Sequence, residues 1–480
     1  MPKFGGVDPL GLRQVNFDLM DEVFPGLNNV ARHIRPFVVV SWAWRRANQL
    51  AQKLGTKTIK VEQLQDFVDR IEVIYVWSQF LRRPKADLPG RLVLAPLLQA
   101  TEFKFGGASW LRRRKARAYS TALSAPINYG PGLRMLGWIQ SHPEDARVML
   151  PNPAASSALD AFEGQIKGLL THDAFSEFGP VVVTSKQALR WSEKWALEHV
   201  TDAERIVMAE LLHGTAAPVS RRSGMALMLS AAGYAKTTDS NRIRAVMTGS
   251  PSKYAPRADL VTTREAWRRV QLRQLFRLAL EAFFHWTIHK LQETPDSIEH
   301  LVGAFLDEAA PPPKIKSAGA WIKWLVADAN SGPTEHIENI QKALATPMAG
   351  ALAGNIAAGL AFCLAEISDA GRRAERSDRL PLHRARQETE VRAAGSVSDF
   401  VQHILESWVL AQHAYWSVGR GLADARVGGK TLLRLKIILD EGGWTLTPGV
   451  SPGSAPQATP DRLHTAVSLA AECGLFTNHR

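Results

Sequence analysis

Two histidines stand one helical turn apart in this sequence, a spacing that helical zinc sites use for their first two ligands. His285 and His289 would place both imidazole rings on one face of a helix. A zinc protease also needs a glutamate directly after the first histidine, but Trp286 is there, and spacing indicates no third ligand. The pair is therefore an alternative metal site beside a simpler interpretation, packing among neighbouring aromatic residues, and we expect no cofactor.

An acidic and basic set further upstream has the loose D…ExK pattern of metal-dependent nucleases. Asp87 is followed by Glu102 and Lys104. In such nucleases two carboxylates hold a divalent metal, while a lysine stabilises the attacking hydroxide or the developing phosphate charge. Patterns this loose also arise by chance in chains of this length, so these three residues define an alternative catalytic site and not the main interpretation.

Several clusters of arginine and lysine could bind phosphate. Arginine donates two parallel hydrogen bonds to a phosphate and stacks on nucleobases, which suits contacts along a nucleic-acid backbone. The predicted nucleic-acid-binding residues are Arg112, Arg113, Arg114, Lys115, Arg117, Arg221, Arg222, Arg242, Arg244, Arg269, Arg273 and Arg277. The competing interpretation places these side chains on separate solvated faces, where they pair with nearby acids.

The net charge of the chain is also compatible with binding to nucleic acid. The chain has 480 residues with 58 Lys and Arg against 46 Asp and Glu, a formal charge of +12. A basic surface favours polyanions such as nucleic acid, although a dispersed arginine excess needs no partner. The hydrophobic content of 45% is ample for more than one core.

Cysteine usage and the N-terminal residues bear on the compartment. Cys363 and Cys473 are the only cysteines and neither has a CxxC neighbour, which excludes a disulfide framework and suits a reducing cytoplasm. The first residues lack the apolar stretch of a secretory signal. We therefore expect a cytoplasmic protein.

The strongest helical pattern covers residues 262–293. Thr262 and Glu265 have the spacing of a capping box, and Pro295 follows the last apolar position. In the first half, apolar residues gather opposite the line of arginines, which predicts an amphipathic helix with a solvent-exposed basic face. Beyond Glu281 apolar residues surround the helix, which predicts burial of its second half.

An uncharged segment at 343–365 raises the question of a membrane span. It consists mostly of Ala and Gly, with Asn355 near its middle and Pro347 where a helix would start. Its hydrophobicity is therefore too low for a span, and a closely packed core helix is the preferred interpretation, with no membrane partner.

Helical periodicity recurs along most of the chain and predicts a mainly α, multi-lobed protein with few short strands. Pro-rich and small-residue stretches suggest three domains, at 1–148, 158–310 and 314–480. The stretch 141–158 is predicted to be a linker, and 447–460 a low-complexity segment without structure. Short strands are predicted at 91–99 and 101–107, and residues 434–449 are predicted to form either a helix end or a small hairpin around Gly442 and Gly443.

Three stretches, 24–47, 264–286 and 406–444, carry a resemblance in general sequence pattern. Here the chain looks like uncharacterised bacterial proteins that are known only as domains of unknown function and are loosely associated with anti-phage defence loci. The resemblance includes no diagnostic catalytic motif, so it transfers no functional residues. It implies a subunit that works beside partners such as a helicase or a nuclease.

These observations predict a non-catalytic subunit that engages nucleic acid, DNA in the first instance, or assembles with other proteins of a bacterial system. One alternative is the metal-dependent nuclease with Asp87, Glu102 and Lys104. A second alternative is a scaffold whose basic faces bind acidic proteins.

Overall fold

A computed structural model of the chain describes residues 8–55, 59–116, 123–249, 254–292, 294–327, 332–346, 351–366, 379–426 and 434–476. These residues form a mainly α-helical protein with a few short strands, as predicted. In chain order the helices are α1 (Arg13–Val23), α2 (Ile34–Leu54), α3 (Val61–Arg82), α4 (Arg91–Leu98), α5 (Ala108–Ala116), α6 (Gly130–Met135), α7 (Ser156–Ile166), α8 (Asp173–Ser176), α9 (Ser185–Ser192), α10 (Asp202–His213), α11 (Val219–Ala235), α12 (Ser240–Thr248), α13 (Val261–Lys290), α14 (Ile298–Ala309), α15 (Ala318–Leu325), α16 (Pro333–Ala345), α17 (Ala351–Glu366), α18 (Leu382–Arg392), α19 (Val397–His403), α20 (Ala411–Arg426) and α21 (Leu463–Glu472).

The chain divides into two compact units, and each unit draws on two separate stretches of sequence. Unit 1 consists of Met1–Met20 and Arg244–Pro460, and unit 2 of Asp21–Ile243 and Asp461–Arg480. The predicted boundary near 148–158 falls inside unit 2, and the boundary near 310–314 falls inside unit 1. Composition shifts in the sequence therefore coincide with turns within a unit.

Helix α13 forms the centre of unit 1. It packs against α16, α17 and the π-helical turn Ile404–Leu410 between α19 and α20. Its limits lie close to those predicted, but it begins at Val261 without a side-chain cap, so the expected capping box does not form. Most of its residues are buried on all sides, in the first half as well as the second. The π-helical turn joins α19 directly to α20, so residues 397–426 are helical without a break.

Helix α17 is the packed core helix that the Ala- and Gly-rich segment predicts. A Cβ atom added at Gly359 would lie 3.1 Å from the Cδ1 of Ile340 and 3.2 Å from the Cδ1 of Leu275, so glycine permits the close approach of α17 to its neighbours. Cys363 is fully buried and donates its thiol to the Leu272 carbonyl at 3.4 Å. Among the described residues, we find no helix with the length and apolar character of a membrane span.

Unit 2 is built around α2 and α3, which pack against each other. Helix α2 also contacts α7 and α10, while α3 contacts α9. The apolar run that begins at Phe37 makes most of the α2 surface suitable for burial, and Gly55, with φ of 88°, terminates the helix. Large side chains such as Trp42 and Trp77 fill the resulting core.

Three small antiparallel sheets complete the described part of the chain. Strand β1 (Glu102–Phe105) pairs with β4 (Val181–Thr184), β2 (Ile139–Ser141) with β3 (Met149–Pro151), and β5 (Ile437–Asp440) with β6 (Gly443–Leu446). The strand predicted around 102–105 and the hairpin at 437–446 are confirmed.

Two local predictions are wrong. Residues 91–98 form helix α4 although Pro96 lies inside it, because the apolar residues of this stretch also match the helical period, which leaves only one side buried. The predicted linker 141–158 contains strand β3, a short 3-10 helix and the start of α7, so its prolines mark turns between ordered elements.

Candidate functional site

A cavity of about 240 Å³ lies beside the second half of α13 in unit 1. Glu281, Phe284, His285 and Ile288 contribute one wall. These positions follow the i, i+3, i+4, i+7 spacing, so they share one helix face. Among the described residues, this face combines one acid, one imidazole and two apolar side chains in a single concave surface.

The opposite walls come from distant parts of the sequence. Pro9 and Arg13 are contributed by the N-terminal stretch of unit 1, and Lys436 by the residue before β5. The irregular loop 452–457 completes the lining. The cavity therefore exists only because three separate stretches of unit 1 converge on α13.

The carboxyl group of Glu281 is only partly satisfied by hydrogen bonds. Glu281 is 2% exposed, and its Oε2 accepts a hydrogen bond from the Arg277 Nη1 at 2.5 Å. Its Oε1 is buried and has no hydrogen-bond partner among the described residues. Burial raises the pKa of Glu281 to about 7, although Arg277 opposes this rise. The group can therefore exchange a proton near neutral pH.

Two cationic side chains hold the loop in place over α13. Lys436 donates its Nζ hydrogen to the Pro452 carbonyl at 2.8 Å, and Arg277 donates its Nη2 hydrogen to the Gln457 carbonyl at 2.7 Å. Gly453 has φ of 83°, and a Cβ atom there would lie 3.0 Å from the Lys436 Nζ. Residues 447–460 contain no helix or strand, as expected, but the carbonyls of Pro452 and Gln457 accept hydrogen bonds from the half-buried Lys436 and the buried Arg277.

The titratable side chains that line the cavity are Arg13, Glu281, His285 and Lys436. Burial lowers the pKa of His285 to about 4, with further lowering by His289 and Lys436, so its imidazole is neutral at pH near 7. Burial also lowers the pKa of Lys436 and of Arg13 from their ordinary values. The cavity thus offers cationic donors on one side and a titratable carboxyl oxygen on α13, beside the apolar Phe284 and Ile288 surfaces.

The predicted exposed arginine face of α13 is wrong. Arg273 and Arg277 are fully buried. Arg273 donates to the carbonyls of Arg379 and Leu380, at 2.5 and 2.6 Å, and its guanidinium lies 5.5 Å from the Phe276 ring centroid. Chain segments far away in sequence provide these acceptors, so the arginines stabilise the fold of unit 1 and are not available to phosphates. Arg269 is half-buried.

The members of the two arginine pairs before α13, Arg221 with Arg222 and Arg242 with Arg244, also differ in burial. Arg221 is 2% exposed and donates to the carbonyls of Pro25, Met135 and Leu211, and burial lowers its pKa to about 10. The prediction that it contacts phosphate is therefore wrong. The remaining members differ in exposure: Arg242 is exposed, whereas Arg222 and Arg244 are half-buried.

In the basic cluster on α5, the two side chains that the structure describes differ in exposure. Arg112 is exposed, while Arg114 is paired with Asp66 at 3.1 Å and with Asp69 at 2.8 Å. These pairs match the competing interpretation of a solvated, acid-paired face for Arg114. The side chains of Arg113 and Lys115, and residue Arg117, lie outside the described residues.

The residues of the nuclease pattern occupy different environments. Asp87 accepts a hydrogen bond from Arg32 at 3.2 Å and lies 3.7 Å from the His33 Nε2. Glu102 and Lys104 lie at exposed alternate positions of β1, so they share one face of that strand. The carboxylate of Asp87 is thus engaged by Arg32.

The two histidines of α13 contact each other, with ring centroids 4.4 Å apart. His289 is exposed, whereas His285 lines the cavity. No group of three His, Cys, Asp or Glu side chains that could hold a metal ion occurs within the part of the chain that the structure describes. The pair by itself provides two ligands at most.

Sequence reasoning missed Glu281 as a site residue, although a local signal was present. Glu281 is the only acidic residue between positions 266 and 292, and it stands four residues after Arg277 in an apolar run. A lone acid in such a run is expected either to be paired inside the protein or to line a site. Arg13, Lys436 and the loop carry no comparable signal, because only the tertiary fold brings them to α13.

Comparison with known proteins identifies no relative. No protein-family model, no curated protein and no solved structure matches this chain.

Proposed function

We propose that unit 1 binds a small anionic molecule in the cavity beside α13. The anionic group would contact Arg13 and Lys436, and a hydrogen-bond donor of the ligand would contact the Glu281 Oε1. Apolar parts of the ligand would pack against Phe284 and Ile288. Binding, without a chemical step, is the function that this arrangement supports best.

One observation carries this proposal: Glu281 lines a cavity, and its buried Oε1 has no hydrogen-bond partner among the described residues. A buried polar atom without a partner costs about 1–3 kcal/mol, more for a charged group. A ligand in the adjoining cavity is one source of the missing partner. The perturbed pKa of the same group agrees with a functional role.

A second support is the donor chemistry of the other walls. The Nε of Arg13 is also buried without a hydrogen-bond partner among the described residues. Lys436 uses one hydrogen for the Pro452 carbonyl, and an ammonium group has three to donate. A carboxylate or phosphate group placed between these side chains would satisfy both.

The test uses the full-length protein in two measurements. Native mass spectrometry of the purified chain detects a co-purified molecule, and thermal unfolding is followed with acetate, L-glutamate, AMP and glucose 6-phosphate. We expect at least one measurement to report binding, and Arg13→Gln to weaken it. Arg257→Gln is the matched control, because Arg257 is exposed, belongs to unit 1 and does not line the cavity.

Two results would overturn the proposal. One is the absence of both a bound mass and a thermal shift with every probe. The other is a ligand that binds the Arg13→Gln protein as tightly as the original protein, since the anionic contact would then lie elsewhere.

Nucleic-acid engagement is a second candidate, favoured by the exposure of Arg112 and Arg242. Binding of labelled duplex DNA in a salt series, with and without Mg²⁺, tests it. A steep salt dependence that falls in an Arg112→Glu, Arg242→Glu double variant would support it, and cut DNA would favour the nuclease alternative. Absence of binding at low salt would favour a scaffold. Action beside a helicase or nuclease in anti-phage defence stays a prediction.

A further inference from the structure

The cavity beside α13 has opposite charges on two of its walls. Glu281 belongs to the α13 wall, and Arg13 belongs to the wall formed by the N-terminal stretch. Glu281 forms its ion pair with Arg277, at 2.5 Å, and no ion pair joins it to Arg13 in the part of the chain that the structure describes. The charge of Arg13 nevertheless lowers the pKa of Glu281, so the two groups lie within electrostatic reach of each other. The cavity therefore keeps an acid and a base apart without an ion pair between them.

Both charged walls have hydrogen-bonding capacity left over. The Oε1 of Glu281 and the Nε of Arg13 are buried and have no hydrogen-bond partner within the described ranges. Lys436, which lines the same cavity, donates to the Pro452 carbonyl and has further hydrogens to donate. A ligand with an anionic group alone would satisfy the cationic side chains and leave Glu281 as it is. A ligand that also carries an amino group would satisfy both walls.

We infer that the ligand of unit 1 carries an aliphatic amino group beside Glu281 in addition to its anionic group, so that the cavity selects an amino acid or a similar zwitterion. This inference rests on the proposed function and specifies its ligand class. An ammonium group is favoured over a hydroxyl group because its charge is opposite to that of the carboxylate, and charge-assisted hydrogen bonds are the stronger ones. Phe284 and Ile288 would pack against the carbon chain of the ligand.

The size of the cavity agrees with this ligand class. Its volume is about 240 Å³. Pockets for drug-sized ligands measure roughly 300–1,000 Å³. The cavity therefore suits a molecule smaller than a drug, such as a free amino acid.

Two ligand pairs that differ only in the amino group test the inference on the full-length protein. L-Glutamate is compared with glutarate, and L-leucine with 4-methylpentanoate, by isothermal titration at constant ionic strength. In a pair that binds, the amino acid should bind about tenfold or more tighter than its partner, the effect of one hydrogen bond between charged groups. Equal or tighter binding of the acid without the amino group would overturn the inference.

Glu281→Gln identifies the protein group that recognises the amino group. The amide oxygen of the variant accepts a hydrogen bond but carries no charge, so the amino acid should lose most of its advantage over its partner. Arg257→Gln is again the control and should leave the advantage unchanged, because Arg257 does not line the cavity. An undiminished advantage in Glu281→Gln would overturn the inference, since the amino group would then bind elsewhere.

The pH dependence of binding provides a second readout. The charged and titratable side chains that face Glu281 or line the same cavity are Arg277 and His285 of α13, Arg13 and Asp8 of the N-terminal stretch, and Lys436 before β5. The pKa of Glu281 is raised to about 7 by burial, and an ammonium group binds the ionised carboxylate. The affinity for the amino acid should therefore rise about tenfold between about pH 6 and pH 8, and Glu281→Gln should abolish the rise. An affinity that does not rise would contradict the inference.

The remaining outcomes separate this inference from the proposed function. A ligand that depends on Arg13 but has no aliphatic amino group, such as AMP, would overturn the inference and leave the proposed function standing. An amino acid whose binding depends on both Arg13 and Glu281 supports both. Absence of binding by every probe, together with absence of a co-purified molecule, would overturn both.

Discussion

Each unit buries an arginine–glutamate ion pair, and the two pairs are satisfied to different degrees. In unit 2 the Arg35 Nη1 lies 3.0 Å from the Glu204 Oε1, while the Glu204 Oε2 accepts the Thr201 N–H at 2.7 Å. Arg35 also donates to the Gln165 Oε1 at 2.9 Å and to the His199 carbonyl. In unit 1 Arg277 contacts Glu281, but the second oxygen of Glu281 lacks a partner among the described residues.

The difference separates a structural ion pair from a candidate binding site. Burial raises the pKa of both glutamates, so a shifted pKa alone does not distinguish the pairs. Hydrogen bonding does not distinguish them either, because the Oε1 of each glutamate is buried without a hydrogen-bond partner among the described residues. The first distinction is that the Glu204 Oε1 has a cation beside it, the Arg35 Nη1 at 3.0 Å, whereas Arg277 contacts only the other oxygen of Glu281. The second distinction is the cavity beside Glu281. A buried ion pair therefore indicates a site only where a polar atom is left over beside space for a ligand.

The largest effect is expected from Glu204→Ala, which leaves Arg35 buried without its counter-ion. Loss of one partner of a buried pair costs about 3–5 kcal/mol, so the free energy of unfolding should fall by that amount. Urea unfolding followed by circular dichroism measures it. Glu62→Ala is the control, because the Glu62 side chain is 68% exposed and its pair with Arg147 is screened by solvent, so its loss should change stability little. Equal losses of unfolding free energy in the two variants would show that the Arg35–Glu204 pair does not stabilise unit 2.

Glu281→Gln should change the pH dependence of stability. The folded state holds the Glu281 proton up to pH of about 7, whereas the unfolded carboxyl loses it near its ordinary value of 4.5. The folded state thus binds more protons in this window, so the contribution of Glu281 to stability falls as the pH rises through it. The stability of the original protein minus that of the variant should fall by on the order of 3 kcal/mol across the window. Parallel pH profiles of the two proteins would contradict this expectation.

A smaller effect is expected from Gln165→Ala in unit 2. The change removes the amide oxygen that accepts from Arg35 but leaves Glu204 and the His199 carbonyl in place. One hydrogen bond to a charged group is worth about 1.5–3 kcal/mol, and the loss should lie near the lower end because partners remain. Thermal unfolding measures it. A loss as large as that of Glu204→Ala would mean that the amide and not the carboxylate neutralises Arg35.

The smallest effect on stability is expected from Arg13→Gln in unit 1. The Arg13 side chain is half-buried, and its Nε has no hydrogen-bond partner among the described residues, so its replacement should cost less than about 1 kcal/mol. Ligand binding should nevertheless fall, since Arg13 lines the cavity. Unfolding and binding are measured on the same preparation. A large loss of stability would show that Arg13 serves the fold and would weaken its assignment to the site.

Periodicity in the sequence was sufficient for the central helix. Helix α13 lies close to its predicted limits, because apolar residues at helical spacing and a following proline report on local backbone preferences. For residues 434–449 the adjacent glycines left a helix end and a hairpin open, and the hairpin β5–β6 forms. Residues 91–99 were predicted to be a strand, but their apolar residues also match the helical period, and a short apolar run does not by itself distinguish the two elements.

The direction in which the arginines face was decided by tertiary structure alone. In the sequence, the spacing places Arg273 and Arg277 on the same helix face as Arg269. This pattern predicts a solvated basic face. Their acceptors, however, are backbone carbonyls of residues 379, 380 and 457, which are distant in sequence. Local pattern contains no information about such partners. A guanidinium group can be buried wherever a returning loop presents carbonyl oxygens to its fixed fork of donors.

The sequence by itself thus determined the helical class, the main elements and the composition of the α13 face that carries Glu281. It did not determine the cavity, since Arg13, Lys436 and the loop 452–457 meet α13 only after folding. The physical reason is that helix formation follows short-range periodicity, whereas the satisfaction of a buried polar atom depends on which distant backbone and side-chain groups come within hydrogen-bond distance.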